Sequence, residues 1–437
     1  MSFNPIGPML SALNKLAGSE HLQRLGLYRP AQKIAYHASR EGFRAATAVG
    51  RQLASVQRLV SPARLQNGKP SELFDLSVSE EQQMFRDMAQ RFAREVLRPT
   101  AHASDHACDT PEGFYTQIGE LGLAQFAVPE ALGGAATESS AVAQVLIAED
   151  LAHGDMGLCV AGLTPIAVAN ALARYGSADQ QTAYLAAFAG EHPPVAAFAL
   201  AERRPAFDPR ELRTRARQNG EGFVLSGEKT LVPLADRAEL LLVAADLAGH
   251  GPQLFLVDSH QTGVSVRHEP SMGLRAARLG SVRFDDVVLP QRALLGEDPS
   301  ALDYGEVISR SAIAWSALAV GCAQAVLDYT IPYCNERKAF GEPISHRQAV
   351  AFMVADIAVE LDGMRLLTWR AASRADLGLP IKREAHLARV LCAEKGMQIG
   401  TNGVQLLGGH GFTKEHPVER WYRDLRAIAI MEGGLLV

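Results

Sequence analysis

The sequence predicts an α+β chain of several domains, helical towards both ends and β-rich in the middle. Three observations carry this. Phe85, Met88, Phe92 and Val96 recur at helical spacing near the start of the main body. From about Pro193 the pattern changes to short apolar runs separated by Gly, Pro and Asp, as strands require. From about Ser300 helical periodicity returns in two long stripes. At 437 residues the chain is also too long for one simple core.

The first element is set apart by charge. Up to Pro70 the chain carries ten Lys and Arg against two acids, while the whole chain has a formal charge of −5. Arg44, Arg51 and Arg58 fall on one helical face, and Val49, Leu53, Val56 and Val60 on the other. A basic amphipathic segment of this kind, spanning 1–72, suits a membrane surface or a docking partner. It is equally Arg-rich and acid-poor in the manner of a mitochondrial presequence.

A helical region is expected over 73–194. Ser77-Val78-Ser79-Glu80 reads as a capping box, and Pro99 as the stop of the helix it opens. The β segment spans 195–299. It contains the runs Val195–Leu200, Phe223–Leu225, Leu240–Ala244 and Leu254–Val257, and period-two alternation at Val264-Ser265-Val266 and Val282-Arg283-Phe284. Residues 300–437 form the second helical region. Trp315, Leu318, Cys322, Val326, Tyr329 and Tyr333 make one stripe; Val350, Met353, Ile357, Leu361 and Met364 make another. Long helices with short connections imply a bundle, and the stripes read as core packing.

Composition narrows the function. The modest negative charge gives no reason to expect nucleic-acid binding. Five scattered cysteines without a Cys-x-x-Cys pair fit reduced thiols and a cytoplasmic location rather than a disulfide framework or zinc site. The thirteen histidines show no metal-ligand spacing, so no metal is expected. No apolar run reads as a membrane span and no cleavable signal is evident.

The chemistry concentrates at the end of the chain. Gln405 precedes Gly408, Gly409 and Gly411, whose backbone can turn sharply and approach a ligand closely. Glu432 follows the apolar run Ile428-Ala429-Ile430-Met431. A carboxylate in that setting is desolvated, which raises its pKa and suits it to act as a base.

The order Gln-x-x-Gly-Gly-x-Gly-Phe from Gln405, Pro417-x-Glu419-Arg420, Arg423-Asp424 and Glu432-Gly433 resembles the C-terminal signature of the FAD-dependent acyl-CoA dehydrogenases. The match extends upstream to about residue 75, through Met272-Gly273-Leu274-Arg275 and Phe284-Asp285-Asp286-Val287. The resemblance implies an N-terminal α-helical domain, a middle β-barrel or sandwich and a C-terminal four-helix bundle. It implies Glu432 as the base that takes the α-proton of an acyl-CoA thioester, with Gly433 in the substrate contact. Asn335-Glu336-Arg337-Lys338-Ala339-Phe340-Gly341, followed by Gln348, is similar to the family's Arg-x-x-Phe-Gly segment. By implication Arg337, Phe340, Gln348, Gln405, Leu406, Gly408 and Gly409 meet FAD across a subunit interface. A homo-oligomer or hetero-oligomer follows, with electron-transfer flavoprotein or a similar acceptor as partner.

Three departures from the family pattern stand out. The family's glycine-rich flavin loop is here Ala201-Glu202-Arg203-Arg204-Pro205-Ala206-Phe207-Asp208. The segment that lies against the flavin ring is Leu231-Val232-Pro233, and Pro233 offers neither N–H nor hydroxyl. An arginine usual near the substrate mouth falls on Ala312, and Arg310 is expected to face elsewhere. These departures support an alternative, a half-site or non-catalytic partner subunit.

Overall fold

The computed structural model describes residues 77–135, 140–190, 193–220 and 222–431. The basic segment 1–72 and the residues Glu432 and Gly433 lie outside the described residues.

The first helical region opens with α1 (Glu80–Phe92). Its capping box lies two residues later than expected: the Gln82 N–H donates to the Ser79 side chain, and the Ser79 N–H to the Gln82 side chain. Pro99 does not stop the helix. A π-helical stretch, Ala93–Leu97, leads into α2 (Arg98–Ala107), and Pro99 sits in the first turn of that new segment. There its missing N–H is tolerated and the widened turn absorbs the ring. Helices α3 (Phe114–Glu120), α4 (Ala141–Gly154), α5 (Met156–Tyr175) and α6 (Ala178–Phe188) follow.

The middle region is one curled seven-stranded sheet. Its strands are β1 (Ala196–Ala199), β2 (Arg215–Asn219), β3 (Gly222–Val232), β4 (Leu240–Leu247), β5 (Gly251–Asp258), β6 (Val264–His268) and β7 (Gly280–Pro290). The order is β1-β4-β2-β3-β7-β6, with β5 antiparallel on β4. Strand β2 is absent from the apolar pattern because Ala216 alone of its five residues is buried.

The second helical region has α7 (Tyr304–Glu336), a short hairpin of β8 (Lys338–Ala339) and β9 (Glu342–Pro343), α8 (Gln348–Asp376), α9 (Lys382–Leu407) and α10 (Val418–Ala427). Helix α7 reaches back onto α4, where Gly321 sits so close that an added Cβ would overlap the Glu149 carbonyl. One apolar cluster therefore runs through both helical regions, from Leu97 and Leu151 to Val326 and Leu425. A second joins α5 and α6 to the sheet, and a third fills the sheet's own interior. Helices α5 and α7 are long and apolar enough to cross a bilayer by length and composition, but both are largely buried as core helices.

Candidate active site

A cavity of about 580 Å³ opens where α5, the sheet and the first half of α7 meet. Helix α5 contributes Leu163, Ala167 and Ala171; the sheet contributes Phe198, Pro233 and Leu242. From α7 come Val307, Arg310, Ser311, Ala314, Trp315 and Leu318. The spacing of that last set is a broad helical face, and it corrects one expectation. Arg310 faces the cavity rather than elsewhere, because the lined arc takes in residues three and four apart on either side of it. Trp315 and Leu318 are core residues as expected, and they also form part of the wall.

One end of the cavity is ionic. Glu306 accepts from Arg310 Nε at 2.8 Å and from Arg174 Nη2 at 2.7 Å. Burial pushes the Glu306 carboxyl up, but hydrogen bonding and charge from Arg310 and Arg174 outweigh it and hold the group below its usual range. Sequence reading missed this cluster, since Arg174 and Glu306 lie on different helices and share no motif.

The sheet's side of the cavity is apolar. Pro233 projects from a kinked segment in which Leu231 and Leu234 have φ of +53° and +56°. Both are conformations that branched side chains rarely adopt, and such strain collects at functional sites. Glu269 holds the kink by accepting from Thr230 Oγ1 at 2.6 Å and from the Leu231 N–H at 3.0 Å. The loop that follows Ala201 is closed upon itself. Phe207 is buried beneath the Arg204 guanidinium, 5.4 Å from its ring. Glu202 is buried against Lys229 Nζ at 2.9 Å and accepts from the Arg213 and Thr214 N–H groups, each at 2.8 Å. Glu202 therefore holds the loop to the body of the sheet.

The residues expected to meet FAD gather elsewhere, at the far end of the bundle. Arg337 caps the C-terminus of α7, Gln348 begins α8 and Gln405 lies in the last turn of α9; all three are exposed. Phe340 is 96% exposed at φ +56°, and the Arg347 guanidinium lies 5.8 Å from its ring. Leu406 is buried in the core. Gly408 turns the chain at φ +59°, and no described atom lies within 4 Å of a Cβ built on it or on Gly409. Tyr333 ties this turn to α7 through His410 Nδ1, at 2.8 Å. From Ala314 in the cavity wall to Arg337, α7 covers about 35 Å at 1.5 Å per residue.

The Pro-x-Glu-Arg and Arg-Asp motifs prove to be a clamp. Arg420 Nε meets buried Asp155, the N-cap of α5, at 2.9 Å. Arg423 binds both carboxylate oxygens of Asp105 at 2.9 Å and also pairs with Glu419. Asp424 accepts the Leu274 N–H at 2.7 Å, and burial followed by the nearby Asp155 charge pushes its pKa up to about 7. Helix α10 is thus held by the first helical region and the β region together. Beyond it, Met431 is buried, and its carbonyl accepts from Arg389 Nη2. The same Arg389 guanidinium lies 5.7 Å from the ring of Trp315.

The three acyl-CoA dehydrogenase domain models match in order: the N-terminal domain over residues 79–192, the middle domain over 197–287 and the C-terminal domain over 305–435. The bovine mitochondrial short-chain specific acyl-CoA dehydrogenase is 33% identical, over 82% of this chain and 88% of its own length. The chain belongs to the acyl-CoA dehydrogenase family. A probable acyl-CoA dehydrogenase of Bacillus subtilis is 31% identical over 82% of this chain and 96% of its own. Among solved structures, butyryl-CoA dehydrogenase from Megasphaera elsdenii matches with a TM-score of 0.77 at 26% identity, covering 83% and 97% of the two chains. A glutaryl-CoA dehydrogenase–glutaryl-CoA complex matches with a TM-score of 0.75 at 26% identity, covering 83% and 94%.

As a family member this chain is a flavoprotein oxidoreductase with FAD as its cofactor. The residues present fit that group in two places. The exposed Arg337 guanidinium beside an open glycine turn suits a pyrophosphate. The apolar Phe198, Pro233 and Leu242 wall suits a flat ring, although Pro233 gives it no hydrogen bond. Among the described residues no cluster of three or more His, Cys, Asp or Glu is placed to hold a metal.

Proposed function

We propose that this acyl-CoA dehydrogenase converts an acyl-CoA thioester to the trans-2-enoyl-CoA, with Glu432 as the base that takes the α-proton. The observation that carries the reading is the link from Met431 to the cavity. The residue before Glu432 is buried and tied through Arg389 to Trp315 in the wall. The apolar run before it, with Ile428 and Met431 buried, would desolvate a carboxylate that follows and strengthen it as a base. The Glu432 N–H, with Gly433 beside it, is the donor proposed for the thioester oxygen, whose developing charge acidifies the α-proton. Bound FAD supplies the hydride acceptor.

A short acyl group is the substrate class favoured here, since Trp315 fills the wall and the bovine relative is named as short-chain specific. The distance along α7 supports shared sites: Arg337, Phe340, Gln348, Gln405, Leu406, Gly408 and Gly409 would serve the FAD of a neighbouring subunit. Electron-transfer flavoprotein or a similar acceptor would reoxidise the enzyme, and the basic segment 1–72 would supply any membrane contact.

The test is spectroscopic. The purified protein is expected to carry one FAD per chain, and anaerobic butyryl-CoA to bleach its visible band. Glu432→Gln binds acyl-CoA but no longer exchanges the α-proton with solvent; undiminished exchange removes Glu432 from the role. A second reading, a half-site partner in a hetero-oligomer, is favoured by Pro233 and the closed loop after Ala201. Protein that takes up FAD only together with another chain would select it.

A further inference from the structure

We propose that Arg389 is a positioning residue, locking the wall of the cavity to the main chain that enters Glu432. The proposal rests on the reading of Glu432 as base. Arg389 projects from α9 into the core and is 8% exposed. Burying a guanidinium is costly, so its placement calls for compensating contacts. Two of its contacts run in different directions. Its guanidinium carbon lies over the Trp315 ring, 5.7 Å from the centroid, and its Nη2 donates to the Met431 carbonyl.

Met431 is thereby held at both main-chain groups, since its own N–H donates to the Ala427 carbonyl at 2.8 Å. A peptide unit is planar. A group that fixes the Met431 carbonyl would therefore also constrain the peptide N–H that follows it in the chain. Beyond α10 the chain runs on as a turn closed by backbone hydrogen bonds, and Arg389 adds a side-chain donor to its last described carbonyl. Only a planar cation performs both tasks at once. Its spread charge reaches the ring while a separate N–H donates to the carbonyl, whereas an ammonium is a compact point charge.

A functional consequence follows. Trp315 borders the space for the acyl group. An acyl group that presses on the indole presses on Arg389, and through it on the carbonyl that sets the Glu432 peptide. The fit of the acyl group and the aim of the base are then one adjustment. Arg389 is thus a specificity device as well as a support.

The experiment uses the FAD-loaded holoenzyme and three variants, Arg389→Met, Arg389→Lys and Glu432→Gln. Two quantities are read across a series of acyl lengths: exchange of the α-proton with D2O, and Kd for unreactive thioether analogues. Arg389→Met is expected to slow exchange on the order of 10- to 100-fold, as misplacement of a reacting group does. Its Kd for the preferred length changes less, and its ranking of acyl lengths flattens. Arg389→Lys recovers part of the exchange rate but not the ranking. Exchange in Arg389→Met at the wild-type rate, or a loss matched by equally weaker binding at every length, overturns the proposal. Should Arg389→Met not fold, wild-type exchange and ranking in Arg389→Lys overturns it. Normal exchange in Glu432→Gln removes the base assignment separately, and the ranking of acyl lengths still decides the Trp315 half.

Discussion

Replacing Lys229 by Met tests whether an ion pair pins the altered loop to the sheet. Lys229 is fully buried, with Nζ at 2.9 Å from Glu202 and 3.0 Å from the Leu200 carbonyl. Burial pushes its pKa down from 10.5 to about 8, even with Glu202 opposing the shift. At about 1.4 kcal/mol per pKa unit, holding the charge there costs about 3 kcal/mol. Lys229→Met removes that cost but strands the Glu202 carboxylate with two N–H donors and no cation. Breaking one side of a buried pair typically destabilises by about 3–5 kcal/mol. Glu202→Gln removes the group that raises the Lys229 pKa, so the stranded amine sheds its proton below pH 8 and the cost of the change should fall as pH rises towards the ordinary lysine value of 10.5. In the double variant the two losses are not additive, with a coupling of about 1–3 kcal/mol. Circular dichroism during urea unfolding of the four proteins measures that coupling. A coupling below about 0.5 kcal/mol, the range of independent sites, refutes the pin.

Three more predictions concern separate parts of the fold. Asp424 has a folded pKa of about 7 against an ordinary 3.8, so its contribution is full below pH 3.8 and lost as pH rises through 7. Asp424→Asn keeps an acceptor for the Leu274 N–H and should raise Tm at pH 8 but not at pH 4; an equal shift at both pH values contradicts the assignment. Gly321→Ala drives a methyl into the Glu149 carbonyl and should destabilise by about 1–3 kcal/mol in thermal unfolding; an unchanged Tm would mean α4 and α7 part easily. Pro233→Thr restores a hydroxyl to the cavity wall and should slow FAD release about two- to tenfold, one hydrogen bond's worth; unaltered release places the ring elsewhere.

Much of the architecture was legible because it depends on periodicity. The stripes through Trp315 and Tyr333 and through Ile357 and Met364 gave α7 and α8, and the short apolar runs gave most of the sheet. Strand β2 was not legible, since its charged residues face outward and only Ala216 is buried. The helix at Pro99 continues through a π-turn, a backbone adjustment that side-chain patterns do not encode. For the site, motif reading proposed Arg337, Gln405 and the Gly408-Gly409 turn, which lie exposed at one end of the bundle. It gave no hint of the clamp formed by Arg420, Arg423 and Asp424, because Asp155 and Asp105 lie some 265 and 318 residues earlier. The cavity's Arg174–Glu306 pair was missed for the same reason, since the two meet only after folding, and Arg310 was assigned to the wrong face.

The length of α7 has a genetic consequence. It sets the cavity and the Arg337 end about 35 Å apart, which on the proposed reading assigns them to different FAD molecules. On the shared-site reading, one chain with a damaged cavity and another with a damaged Arg337 end should complement each other. Each mixed dimer would pair both defects in one site and leave the other site whole. Random mixing of two inactive proteins would then recover about a quarter of the sites, as a symmetric two-site assembly demands. A chain with both defects would rescue neither parent, and mixed with wild type it would spoil a neighbour's site as well as its own.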